Sequence, residues 1–276
     1  MNNQKINNNF NLTGQVAVVT GGAGVLCSAL CRMLSAEGVK VSVLDLNAGA
    51  AENLAAELRS SGGEAIGLAC NVLDKASIEA AAEQALTAFG RVDILLNGAG
   101  GNKPQATTSA DTSFFDLSAD ALRWVLDLNL MGIILPSQVF GKIMADQKSG
   151  VILNFSSMNS YRPLTRIPAY SAAKAAVSNF TQWLAVHMAQ NYSPDIRVNA
   201  IAPGFLVGEQ NRRLLLNEDG SLTPRGQAII DHTPMGRFQV PEDLFGTVQW
   251  LLSPASALVT GVVVPIDGGF AAFSGV

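Results

Sequence analysis

Seven short apolar runs punctuate the chain, and each is closed by a turn before a stretch of helical spacing begins. They are VAVVT (16–20), KVSVLD (40–45), EAIGLAC (64–70), VDILLN (92–97), GVILNFS (150–156), IRVNAIA (196–202) and GVVVPID (261–267). Near-continuous apolar runs of this length suit strands covered on both faces. Strands alternating with segments such as AGAAENLAAELRSSG and KASIEAAAEQALTAFG build a parallel sheet through helical crossovers. The pattern predicts a single doubly wound α/β domain over residues 12–276, with a seven-stranded parallel sheet and helices on both faces. Residues 1–11 are expected to form a flexible leading segment. A chain of 276 residues, 48% of them hydrophobic, supports one large core. Ligands of such sheets bind beyond the carboxyl ends of the strands, so the chemistry is sought just after each run.

Several function classes are disfavoured at once. The net charge of −4 and the lack of a Lys- or Arg-rich run argue against nucleic acid as a partner. Three cysteines are too few for a disulfide framework, and they read as reduced thiols of a cytoplasmic protein. His187 and His232 show no metal-ligand spacing, so no metal is expected. The Asn-rich start has no apolar core of a secretion signal, and no apolar run reaches the ~18 residues of a membrane span. Residues 205–240 lack a strand signal and are expected to form a substrate lid.

The first run leads straight into Gly21, Gly22 and Gly24 and then a helical pattern. Glycine lets the backbone turn tightly and come close to a pyrophosphate, whose charge meets amides at the helix start. Asp45 ends the second run, where a carboxylate accepts hydrogen bonds from ribose hydroxyls and repels a 2′-phosphate. No cation stands beside it, which favours NAD over NADP. Asn71 and Val72 after the third run, and Asn97, Gly98 and Ala99 at the end of the fourth, extend this candidate cofactor site.

Tyr170 and Lys174 in YSAAK lie one helical turn apart, on one face. A phenol with its pKa of about 10 is a poor base at neutral pH, and a neighbouring ammonium is expected to lower it. The pair suits proton transfer between an alcohol and a ketone. Ser157, after the fifth run, is placed to hold the reacting oxygen.

Taken together, TGGAGVLC, Asp45, NGAG, Asn129 in LDLNLMG, Ser157, YSAAK, APG (202–204) and DGG (267–269) resemble the short-chain dehydrogenase/reductase family, in family order from about residue 12 to 270. The resemblance implies a Rossmann-type fold, an NAD-dependent enzyme acting on a CH–OH group, and no metal. It makes Tyr170 the general acid/base and Lys174 the residue that binds the nicotinamide ribose and depresses the tyrosine pKa. Ser157 would hold the substrate oxygen, and Asn129 would anchor a proton-relaying water. It adds Val25, Leu26, Pro203 and Gly204 to the cofactor contacts, and a homotetramer as the expected assembly. One departure stands in the turn: Val25 and Cys27 occupy positions where the family pattern has glycine, and Gly24 comes one place early. Backbone amides bind phosphate whatever side chain they carry, so the turn reads as a working site and Cys27 as an inert packing thiol.

The loops GGNKPQATT, SMNSYRPLTRIPAYSAAK and GFLVGEQNRRLL, with the tail DGGFAAFSGV, resemble a sugar-acid branch of that family, the D-mannonate oxidoreductases or fructuronate reductases. Asn102, Asn159, Gln210 and Asn211 carry amides suited to sugar hydroxyls. Lys103, Arg162, Arg166, Arg212 and Arg213 are candidate cations for a carboxylate, with Arg162 and Arg166 best placed because they lie between Ser157 and Tyr170. Gluconate- or deoxygluconate-type, polyol and ketoacyl substrates remain alternatives, as does a non-catalytic nucleotide sensor.

Overall fold

The computed structural model describes residues 9–208 and 211–275. Among these, seven strands form one parallel sheet in the order β3-β2-β1-β4-β5-β6-β7. They are β1 (Val16–Thr20), β2 (Lys40–Asp45), β3 (Ala65–Ala69), β4 (Ile94–Asn97), β5 (Gly150–Phe155), β6 (Ile196–Pro203) and β7 (Val263–Ile266). Each falls on an expected run: β1 and β2 match it in full, β3, β4, β5 and β7 are trimmed, and β6 runs one residue further, to Pro203. Val92 and Asp93 stand outside β4, and the Asp93 carboxylate accepts the Val16 N–H at 2.9 Å. Strand order reverses between β1 and β4, which opens a crevice at their carboxyl ends.

The helices are α1 (Val25–Ala36), α2 (Ala48–Ser60), α3 (Lys75–Phe89), α4 (Ala119–Leu126), α5 (Gly132–Gln147), α6 (Pro168–Asn191), α7 (Arg212–Leu215), α8 (Pro224–Asp231) and α9 (Phe245–Leu252). Leu30 and Leu34 of α1, Leu54 and Leu58 of α2 and Leu251 of α9 share one core with Val19, Val43 and Leu96 of the sheet. Ile78 of α3, Phe140 and Met144 of α5 and Leu184 of α6 share the other, with Val18, Leu95 and Ile152. The alternate residues of each strand thus feed opposite layers, which is why both sides of the runs are apolar.

A π-helical turn, Asp127–Met131, joins α4 to α5. The continuous helix Ala119–Gln147 is apolar and long enough to cross a membrane by length and composition. Half of its most apolar window is buried within the fold, where it packs on α3, β4 and β5 as a core helix.

Of the leading segment, residues 1–8 lie outside the described residues. Its end departs from the expected flexibility, because the carbonyl of Asn9 accepts the Ala255 N–H at 2.9 Å. The stretch expected as a lid leaves β6, carries α7 and α8, and returns through a bridge between Leu206 and Gln239.

A chain of buried side chains crosses the middle of the fold. Asn97 of β4 donates to Ser137 of α5 at 3.0 Å and to Asn154 of β5 at 2.9 Å. Asn154 in turn donates to Thr181 of α6 at 2.9 Å. All but Ser137 are wholly inaccessible to solvent, so removal of one amide orphans its partners in a dry interior. Asn154→Ala is therefore expected to cost about 2–3 kcal/mol of unfolding free energy in urea titration. A loss below about 0.5 kcal/mol would remove the network as a stabilising element.

Candidate active site

The turn after β1 is pressed into the crevice. Gly21 has φ +60°, and a Cβ there would lie 2.8 Å from the Cα of Ala99. Thr20 Oγ1 accepts the N–H of Gly98 at 3.1 Å and of Ala99 at 3.4 Å, tying β1 to the segment after β4. Gly24 begins α1 with no side-chain cap, so the amides of the first turn are left for a ligand. Val25 is exposed at that helix start, and Leu26 is half-buried against the core. Asp45 stands beside the turn, with Oδ2 accepting the Ala23 N–H at 3.1 Å and Oδ1 the Asn47 N–H at 3.0 Å. A close-approach backbone, uncapped helix amides and an anchored carboxylate fit a dinucleotide with a free ribose.

Cys27 fills the contact that the glycine of the family pattern would leave open. A Cβ on Gly98 would overlap Cys27 Sγ. Burial, with the Asp45 charge adding to it, pushes the Cys27 thiol up to about 12, so it packs and does not react.

The later strand ends differ among themselves. Asn71 shapes a turn: its N–H donates to Ser77 and its side chain accepts the Leu73 N–H, both at 3.0 Å. Val72 is buried, and a Cβ on Gly132 would stand 3.0 Å from it. Gly204 donates to the Ile266 carbonyl at 2.9 Å, and a Cβ on it would stand 2.8 Å from the Cα of Asp267, so Pro203–Gly204 and the DGG segment meet. Asn97 corrects the expectation of a cofactor contact. It is wholly buried and its amide belongs to the network between β4 and β5.

Lys174 is buried, and its Nζ donates to the carbonyl of Phe155 at 2.7 Å. Burial pulls its pKa down to about 8. Tyr170 lies on the same face of α6, with Lys174 Nζ 5.6 Å from its ring centre. Ser157 lies close enough to the Tyr170 phenol to act on its pKa. Here the structure differs from the expectation of a depressed phenol. Desolvation raises the Tyr170 pKa and the neighbouring Ser157 only opposes it. Asn129 sits in the π-helical turn, which re-aims its side chain. Its Nδ2 donates to the carbonyls of Gly101 at 2.6 Å and Val125 at 2.8 Å, and its Oδ1 accepts the Gly101 N–H at 3.2 Å. A Cβ on Gly100 would stand 2.8 Å from Asn129 Oδ1 and 3.6 Å from Lys174 Nζ, so the two side chains converge on that glycine.

The residues expected to meet substrate divide into free and committed groups. Asn159 Oδ1 and Asn102 Oδ1 are buried without a partner, although Asn102 Nδ2 donates to Thr107 at 2.9 Å. Arg166 lines a cavity with Asn159. Asn211 is committed to its own loop, accepting the Gly208 N–H at 2.8 Å and donating to the Leu206 carbonyl at 2.7 Å, so it does not offer the expected sugar contact. Arg162 gives its Nε to the Ala271 carbonyl at 2.8 Å and thereby fastens the tail. Gln210 lies outside the described residues. Arg212 and Arg213 are exposed on α7. Sequence reasoning passed over Arg225, which is half-buried near Arg166. Its signal was the TPR of SLTPRG: Thr223 caps α8, Pro224 starts it, and Arg225 is thereby fixed in the first turn.

Comparison with known proteins agrees with this geometry. The short chain dehydrogenase family model matches residues 15–218. An uncharacterized oxidoreductase, UxuB of Bacillus subtilis (strain 168), is 49% identical over 275 residues, covering 96% of this chain and 98% of its own. A solved structure from Haemophilus influenzae, provisionally named a D-mannonate oxidoreductase and holding NAD, has a TM-score of 0.91 and 47% identity over 98% of this chain and 100% of that one. A gluconate 5-dehydrogenase from Burkholderia cenocepacia, in complex with NADP and tartrate, has a TM-score of 0.86 and 28% identity over 96% and 98%.

The Cys27–Gly98 contact is open to a direct check. Gly98→Ala drives a methyl into the sulfur, so it should lower the melting temperature and weaken NADH binding in fluorescence titration. Cys27→Gly in the same chain removes the overlap with sulfur and should restore part of both. Rescue is partial because the new methyl also stands 3.0 Å from the Thr20 carbonyl. Equal damage with and without Cys27 would show that the sulfur does not fill this slot.

Proposed function

The chain belongs to the short-chain dehydrogenase family, and we propose that within it the enzyme interconverts D-mannonate and D-fructuronate. It is an oxidoreductase acting on a CH–OH group with NAD. NAD, when bound, supplies the hydride chemistry at the carbon that becomes alcohol or ketone. Asp45, fixed by the Ala23 and Asn47 N–H groups, would accept hydrogen bonds from the ribose hydroxyls, and its charge would repel the extra phosphate of NADP. The observation that carries the chemistry is that Ser157 acts on the Tyr170 phenol, one helical turn from the buried Lys174 amine bound to the Phe155 carbonyl.

Ser157 holds the substrate oxygen, and Tyr170 passes a proton to it in reduction or takes one in oxidation. Lys174, on the same helix face, and Asn129, which converges with it on Gly100, would pass that proton onward. The high phenol pKa suits the donor role in the reducing direction, because Tyr170 stays protonated at neutral pH. Unpaired arginines in the loops around this centre, together with the likeness to the Haemophilus protein, support an acid substrate. The likeness to a gluconate 5-dehydrogenase favours a second reading in which an aldonate of gluconate type is the alcohol. The exposed Trp183 and Val186 on α6 support assembly as a homotetramer through that helix.

The test is to mix purified enzyme with NADH and D-fructuronate and to identify the product by chromatography. D-Mannonate should form as NADH absorbance falls. Tyr170→Phe should retain NADH binding and lower kcat by about 10²–10⁴. Turnover of gluconate-type acids but not fructuronate would move the assignment to the second reading. Retention of most of kcat in Tyr170→Phe would remove the tyrosine from the proton step.

A further inference from the structure

The candidate cations around the active site differ in what holds them. Arg162 is fastened to the tail, and Arg166, Arg212 and Arg213 are exposed. Lys103 is half-buried in the loop after β4, and its Nζ stands 4.0 Å from the ring centre of Trp124 on α4. A π face holds an ammonium without neutralising it, so the lysine is fixed while its charge and N–H donors stay available. The ion pairs among the described residues do not include Lys103.

Two sets of contacts tie this lysine to the reacting centre. The first is its own loop, clamped to Asn129: the Gly101 N–H donates to Asn129 Oδ1 at 3.2 Å, and the Gly101 carbonyl accepts from Asn129 Nδ2 at 2.6 Å. Gly100, just before, is the glycine on which Asn129 and Lys174 converge. Lys103 thus follows by two residues a backbone locked beside the Lys174 amine. The second is the ring beneath it. Trp124 and Tyr170 both pack on one buried cluster, Ala106, Ala121, Val125 and Ala169. The aromatic support of the ammonium and the phenol of the proton step therefore share a footing.

Between the clamp and the ammonium lies Asn102. Its Nδ2 donates to Thr107 Oγ1 at 2.9 Å, and Thr107 Oγ1 donates to the Lys103 carbonyl at 2.9 Å. These bonds fix the amide and leave Oδ1 buried without a partner. Buried acceptors are nearly always paired, so this one points to a donor brought by a ligand.

We infer that Lys103 pairs with the carboxylate of the substrate and that Asn102 Oδ1 accepts one of its hydroxyls, with Trp124 as the positioning residue that holds the ammonium. This rests on the sugar-acid reading above and names the residues that select the acid. The ketone lies against Ser157 and Tyr170, and the acid end points along the loop after β4.

The readout is the ratio of kcat/KM for D-fructuronate to that for D-fructose, its neutral counterpart with a hydroxymethyl in place of the carboxylate. Wild type should show a large ratio. Lys103→Gln and Lys103→Ala should each lower it by about tenfold to hundredfold, mainly through KM for fructuronate, as expected for a lost charged hydrogen bond. Lys103→Arg keeps the charge and should keep part of the ratio. Trp124→Leu should raise KM for fructuronate less than Lys103→Gln does, and should add little in a Lys103→Gln background, because the ring acts through the lysine. A wild-type ratio near one overturns the sugar-acid reading and the Lys103 assignment with it. A large wild-type ratio that survives both Lys103→Gln and Lys103→Ala within twofold overturns the Lys103 assignment alone.

Discussion

One hydrogen bond sets the geometry of the active site: the 2.7 Å contact from the Lys174 amine to the carbonyl of Phe155. It joins the first turns of α6 to the carboxyl end of β5, and two further bonds reinforce the joint. Ser156 Oγ donates to the Lys174 carbonyl at 3.1 Å and pairs with Ser178 Oγ at 2.7 Å. Ser157 is the next residue of the strand end, and Tyr170 lies one turn earlier on the helix. The two residues come near one another because the strand and helix are stitched immediately beside them. The stitch has an energetic cost. A buried ammonium loses its water, so the fold disfavours the protonated form of Lys174. Between the folded value of about 8 and the ordinary 10.5, the unfolded chain binds more protons at this site. Stability contributed by this group therefore rises with pH across that window, and the full penalty stands below it.

The nucleotide turn shows how much a backbone site tolerates. A pyrophosphate is read by amides and by the field of a helix start, neither of which depends on side-chain identity. The turn needs one residue free to adopt positive φ against Ala99, which is Gly21, and a sealed contact between α1 and β4. Cys27 seals that contact with sulfur on the bare face of Gly98.

The sheet was legible because its cause is local. Both faces of every central strand meet helices, so the strands are written as unbroken apolar runs, and turn residues mark their ends. Asp45, Ser157, Tyr170 and Lys174 were legible because their spacing follows from strand ends and one helical turn. Other features depend on contacts remote in sequence. Asn97 looks like a cofactor residue from its place after VDILL, and only its partner Asn154, on the neighbouring strand, shows that it faces the interior. The fate of Arg162 depends on the carbonyl of Ala271, and that of Asn211 on the fold of its own loop. The raised pKa of Tyr170 was hidden for the same reason. The YSAAK spacing shows the neighbouring amine, but not the burial that raises the phenol pKa.

The central claim is that burial against the Phe155 carbonyl, rather than exposure at a cleft wall, sets the state of Lys174. Titration of the Lys174 side-chain signal by NMR, in protein labelled at lysine Cε and assigned with Lys174→Met, reads that state directly. This account requires a midpoint near 8 in the free enzyme. A midpoint at the ordinary value of 10.5 would contradict it.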